Sequence, residues 1–138
     1  MPIPSKIDYS FNKIARLQDL NDLAEILFPG NRNHQRAFLA VFVELKWYGK
    51  GLLPELAFVV EKYGVSPRTL ERVRAKMRRL GIIDHVSRFS KKYGYKEGWV
   101  LSTRFEEALW KLSERYQILL GREGKHREQR DRDSLSYV

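Results

Sequence analysis

The stretch GVSPRTLERVRAKMRRLGIID, residues 64–84, decides how this chain is read. Between Ser66 and Leu80 it holds six Lys/Arg against one Glu, yet Leu70, Val73, Met77 and Leu80 recur at helical spacing. Ser66 followed by Pro67 is a helix start: a hydroxyl accepts an orphan amide proton, and the next residue has no amide to satisfy. Gly81 ends the helix. On a helical wheel the four apolar residues share one face, while Arg68, Arg72, Ala75 and Arg79 lie almost opposite. The predicted helix has a core side and a cationic side.

Upstream, apolar residues from Phe11 to Phe28 fall near helical period, as one helix or as two broken at DLND. Pro29 and Gly30 end that segment. NRNHQRAFLAVFVELKWYGKG (31–51) predicts a second helix capped by Asn33, with its apolar middle, Ala37 to Val43, buried on most sides. LLPELAFVVEKYG (52–64) predicts a third, with Pro54 in its first turn and Gly64 at its end. A tight turn then leads into the helix of 67–80. Gly64 supplies the sharp bend, Val65 fills the space beneath it and Ser66 caps the helix after the turn.

Downstream, IIDHVSRF (82–89) and WVLS (99–102) predict two strands joined by the loop SKKYGYKEG (90–98). Thr103 and Glu106 have capping-box spacing and open a last helix, with the stripe Phe105, Ala108, Leu109, Leu112, Tyr116, Leu119 and Leu120. Trp110 and Ile118 lie off that stripe, so the helix has apolar groups for more than one surface. From residue 122 the chain is polar and charge-dense, the composition of a disordered tail.

The formal net charge is +9, and its placement matters more than its size. Residues 66–96 hold ten Lys/Arg and two acids, Glu71 and Asp84, while the rest of the chain is nearly balanced. Positive charge concentrated on one compact element is the electrostatic footprint of a polyanion partner. Other classes are disfavoured. With no cysteine there is no disulfide framework, thiol nucleophile or cysteine zinc site. No apolar run has the roughly 18–20 residues of a membrane span, and MPIPSKIDYSF lacks a signal-peptide stretch, so the expectation is a cytoplasmic protein without a membrane partner. His34, His85 and His126 are scattered, and we read them as surface or capping histidines. Glu106/Glu107 and Asp131/Asp133 form no acid/base pair, and no glycine loop has a phosphate-binding pattern. Neither catalysis, cofactor nor metal is expected, and the sequence leaves any small-molecule effector unknown.

The order helix, Gly-Val-Ser turn, helix, hairpin resembles the winged helix-turn-helix family of DNA-binding proteins, found in many prokaryotic transcription regulators. The resemblance covers residues 33–105 and rests on YGVSPRTLERVRAKMRRLGIID, SKKYGYKEG and WVLS. It implies that helix 67–80 enters the major groove, with Arg68, Thr69 and Arg72 approaching base edges, and that Lys91, Lys92 and Lys96 sit on a wing. The full DNA-contacting set it suggests adds Lys76, Arg79, Arg88, Tyr93 and Tyr95. The two tyrosines have two readings, stacking or wedging at a minor groove and packing across the hairpin. Two features depart from the pattern: Val60 stands where a small residue is usual, and the third helix reads a turn long.

The resulting expectation is a mainly α fold with a small β-hairpin wing. It divides into an N-terminal helical extension (1–30), a winged helix-turn-helix domain (31–103), a C-terminal dimerisation helix (104–121) and a disordered tail (122–138). The expected partners are double-stranded DNA and a second copy of the chain, joined through Trp110 and Ile118. A winged-helix protein adaptor or an RNA-binding module is the alternative.

Overall fold

The computed structural model describes residues 6–138, which form two compact units: one ends at Phe105, the other covers Glu106–Val138. The fold is mainly helical with one two-stranded antiparallel hairpin. Among the described residues no helix is long and apolar enough to cross a membrane.

In the first unit, α1 (Phe11–Ala15) and α2 (Leu20–Leu27) are separate helices, broken at the DLND segment where Asp19 caps α2 by accepting from the Asp22 amide at 2.9 Å. The next helix, α3 (Arg32–Tyr48), starts two residues earlier than the sequence suggested. Asn31 caps it, not Asn33, and its side chain accepts from the His34 amide at 3.0 Å. From Ala37 to Val43 every residue is buried or half-buried, as the apolar run predicts.

The third predicted helix is shorter than read: α4 covers only Phe58–Tyr63, so Pro54 is not in its first turn and the extra turn is absent. The reason is a strand pairing. Leu53 forms an isolated antiparallel bridge with Trp99, its amide donating to the Trp99 carbonyl at 2.9 Å and the Trp99 amide returning the bond at 2.8 Å. Those backbone groups are unavailable to a helix. Gly98 makes the approach possible, because a Cβ there would lie 2.6 Å from the Leu53 carbonyl oxygen.

Gly64, at φ +66°, carries the bend into α5 (Pro67–Leu80), where the Ser66 hydroxyl accepts from the Thr69 amide at 3.1 Å. The hairpin comes next, β1 (Ile83–Ser90) against β2 (Gly94–Leu101), in a register running from Ile83↔Leu101 to Ser90↔Gly94. The predicted nine-residue loop contracts to the three-residue turn Lys91–Lys92–Tyr93, and Tyr95, Lys96 and Glu97 stand on a strand. Both ends of the turn explain the tightness: Gly94 has φ +75°, and the Ser90 hydroxyl accepts from the amides of Lys92 and Tyr93.

Phe38 and Val41 of α3, Val59 of α4, Val73 and Met77 of α5, and Ile83 of β1 are fully buried in one core. Ala24, Leu27 and Phe28 belong to it too, so the segment 1–30 supplies core residues as well as an extension. Each large side chain so buried is worth about 1.5–3 kcal/mol. Glu44 ties α3 to α4, accepting from Lys62 at 2.6 Å and from the Tyr63 hydroxyl at 2.5 Å. The Lys62 ammonium, with Tyr63 beside it, holds that carboxyl below its usual range.

The second unit holds most of α6 (Arg104–Leu120), then α7 (Arg127–Asp133) and a 3₁₀ turn over Ser134–Tyr137. The tail read as disordered from residue 122 thus contains a short helix. Its surface is laced by i,i+4 contacts, Arg132 to Glu128 at 2.8 Å and Gln129 to Asp133 at 2.7 Å, which composition alone does not reveal.

Candidate nucleic-acid interface

Three sides of α5 have three fates. Leu70, Val73 and Met77 face the core. On one flank Arg74 and Arg78 lie over the indole of Trp99, 4.9 and 5.6 Å from its centroid, and His85 meets the same ring edge-on at 4.8 Å. The Trp99 ring is itself buried. A helical wheel places Arg74 and Arg78 between the two faces, so only the hairpin's position shows what they do.

The other flank overturns one residue of the candidate set. Lys76 is 2% exposed. Its ammonium donates to the Lys6 carbonyl at 2.7 Å and to the Leu27 carbonyl, and it sits 4.4 Å from the Phe28 ring centroid. Lys76 therefore ties α5 to the end of α2 and to the segment before α1, and it is not available to a nucleic acid. Burial pushes its pKa down. A lysine at the edge of a wheel takes whichever fate its neighbour decides, and here the neighbour is a helix end whose last carbonyls need donors.

His34 lies beside this group, buried, with its ring edge toward Phe28 at 6.0 Å, and so is not the surface histidine the sequence suggested. Burial lowers its pKa first, and the nearby cations Arg72 and Lys76 lower it further.

The solvent side keeps Arg68 and Arg79 exposed, with Arg72 half-buried between them. Thr69 is half-buried and belongs to the cap, its hydroxyl oxygen accepting from the Ser66 hydroxyl at 2.9 Å. The hairpin brings a second set of cations: Arg88, Lys91, Lys92 and Lys96 are all exposed. Among the described residues none of these four is ion-paired. Of the two acids within 66–96, Asp84 is taken up by the Arg104 guanidinium, which holds its carboxyl below the ordinary range. Three acids near α5, Glu55, Glu61 and Glu71, line a groove between α4 and α5 together with Arg74 and the apolar Phe58, Val60 and Leu70.

Tyr93 and Tyr95 do not pack on each other. Tyr93 is exposed at the turn, with the ammonium groups of Lys92 and Lys96 at 5.3 and 5.6 Å from its ring centroid. The Tyr95 hydroxyl lies 3.0 Å from Ser87 Oγ and 2.9 Å from Glu97 Oε2, while its ring stays exposed. Phe89, which the sequence reading did not single out, is 76% exposed opposite Tyr95. Its signal was a phenylalanine among polar strand residues.

Trp110 and Ile118 of α6 are exposed, and so are Leu109, Leu112, Tyr116, Leu119 and Leu120 of the stripe. Among the described residues no cluster of His, Asp and Glu is arranged to hold a metal ion. No protein-family model, curated protein or solved structure matches this chain.

Proposed function

We propose that this chain is a winged helix-turn-helix protein that binds duplex DNA, with α5 in the major groove and the β1–β2 hairpin as its wing, and that it serves as a transcription regulator. The observation that carries the reading is the cation set on two adjoining elements, exposed Arg68 and Arg79 with half-buried Arg72 on α5, and exposed Arg88, Lys91, Lys92 and Lys96 on the hairpin. The element order supports it as well: a helix, a one-residue bridge at Leu53 beside β2, two helices across a glycine turn, and the hairpin. A homodimer through α6 belongs to the same reading, because that helix exposes both Trp110 with Ile118 and the stripe residues from Leu109 to Leu120. Two copies then set two α5 helices on half-sites about 34–36 Å apart.

The test is titration of random duplex DNA across a salt series. Log affinity is expected to fall linearly with log salt, with a slope of about −0.9 per phosphate neutralised. No binding to duplex at low salt sinks the reading. It then favours the adaptor alternative, whose support is the groove of Phe58, Val60 and Leu70 rimmed by three glutamates; tighter binding to RNA favours the RNA-binding alternative. Sedimentation checks the dimer: a single-sized monomer at tens of micromolar (about a thousandfold weaker than a 10 nM complex) removes that part.

A further inference from the structure

The outer half of the hairpin has two unlike faces. Residues opposite each other in an antiparallel pair point to the same side, and successive residues alternate. The register therefore places Phe89 with Tyr95 on one face and Arg88 with Lys96 on the other. Phe89 and Tyr95 are 76% and 62% exposed. Nothing among the described residues covers them, and exposed aromatic rings on a ribbon only two strands wide contribute little to the chain's own stability.

The opposite face is costly in a different way. Arg88 and Lys96 are like charges placed directly across from one another, an arrangement that destabilises a strand pair unless an anion lies between them. From Arg88 to Lys96 there are four Lys/Arg, and the next carboxylate, Glu97, lies against the Tyr95 hydroxyl on the aromatic face. Lys92 and Lys96 both lie near the Tyr93 ring at the turn. The tip thus offers flat π surfaces on one face, and positive charge on the other face and at the turn. That combination fits nucleotides whose bases are free to stack: the rings take the base faces, and the cations take the phosphates. A paired base inside a duplex has no free face to give.

We propose that Phe89 and Tyr95 form a stacking platform for unpaired nucleobases, with Arg88, Lys92 and Lys96 holding the flanking phosphates. The chain then prefers DNA carrying an unpaired segment over fully paired DNA. The hydrogen bonds of Tyr95 to Ser87 and Glu97 keep its ring in one orientation, which lowers the cost of ordering it on binding. This inference rests on the nucleic-acid reading above, and it adds a class of substrate to it.

The experiment uses the full chain and three labelled DNAs: a blunt duplex, the same duplex with a short unpaired gap, and the single strand. A 2-aminopurine base in the gap reports stacking. The wild type is expected to bind the gapped DNA about tenfold or more tighter than the blunt duplex, the gain that stacking of a free base supplies, and to quench the 2-aminopurine. The double substitution Phe89→Leu with Tyr95→Leu keeps apolar bulk but removes the π faces. It should abolish both the preference and the quenching while leaving the circular dichroism spectrum unchanged.

Equal wild-type affinity for gapped and blunt DNA overturns the platform, and so does a double variant that keeps the preference. If the blunt duplex is not bound but the single strand is, with Phe89- and Tyr95-dependent quenching, the duplex reading fails and the platform stands. No binding to any of the three overturns both. Binding to anionic phospholipid vesicles that the double variant loses, with DNA binding unchanged, identifies the surface as a lipid contact and also overturns the platform.

Discussion

α5 and α6 are both amphipathic helices, of 14 and 17 residues, and their apolar stripes meet opposite ends. α5 buries Leu70, Val73, Lys76 and Met77. α6 buries no residue and leaves Leu109, Leu112, Tyr116 and Leu119 exposed. A period of apolar residues states that a helix has a face to cover; it does not state what covers it. For α5 the cover is α3, the end of α2 and the hairpin. For α6 the proposed cover is a second copy of the chain, since a seam spaced four and three residues apart is what another helix packs against.

The largest effect that tests this contrast is on stability. Met77→Ala should destabilise the protein by about 2–5 kcal/mol in urea titration, the cost of a cavity in a packed core. Leu112→Ala should shift the same transition of dilute protein by no more than about 0.5 kcal/mol, as an exposed position does. Comparable losses would mean that α6 is covered within the single chain.

Next comes a pair of lysines. Lys76→Leu removes the donor that two carbonyls use and should cost about 1–3 kcal/mol. Lys92→Leu, at the exposed turn, should leave the transition within about 0.5 kcal/mol. In DNA titrations the order reverses: Lys92→Leu makes the salt slope shallower by about one unit, whereas Lys76→Leu leaves the slope unchanged. A changed slope for folded Lys76→Leu would return Lys76 to the interface.

Within α5 the comparison sharpens to one side chain. Arg72 stands one turn from Arg68 on the solvent side, where a guanidinium can donate twice to a guanine edge. Arg72→Ala should cost a selected DNA site about 1–3 kcal/mol and random DNA much less. Equal losses on both would show that α5 grips only backbone.

The smallest expected effect is a pH slope. His34 has its pKa lowered below 6.5 by burial and by Arg72 and Lys76, so below that value the unfolded chain takes up a proton that the folded one refuses. The stability present above 6.5 is lost as pH falls from there towards the depressed folded pKa, and the loss levels off below it. His34→Gln should flatten this part of the stability profile measured by denaturant titration. An unchanged slope would assign it to other groups.

Local signals were legible where a residue's own chemistry decides the backbone. Ser66–Pro67 opened α5, Gly81 closed it, and the apolar stripe named its core face. Elsewhere long-range pairing overrode local propensity. The stretch from Leu53 to Ala57 reads as the start of a helix with Pro54 in its first turn, and the bridge of Leu53 to Trp99, 46 residues away, keeps it out of the helix. β2 was read too short because Tyr95, Lys96 and Glu97 are exposed on both faces and carry no apolar alternation, so only the register reveals them as strand. Of the candidate interface, Arg68, Arg79 and the four hairpin cations were predictable as exposed. Phe89 was not singled out, because an aromatic in a strand is expected to be covered.

By itself the sequence determined the amount and location of positive charge, the capped beginning and end of α5, and the existence of an apolar face on each long helix. These come from side-chain chemistry and from a helix period that needs no partner. Only the tertiary structure decided which basic residues are surface and which are struts. Lys76 and Lys92 are the same residue type in the same basic segment; one lies against the carbonyl end of α2 and the ring of Phe28, and the other lies in water. Burying an ammonium is tolerated only where donors are wanted, and where donors are wanted depends on which helix end the fold brings there.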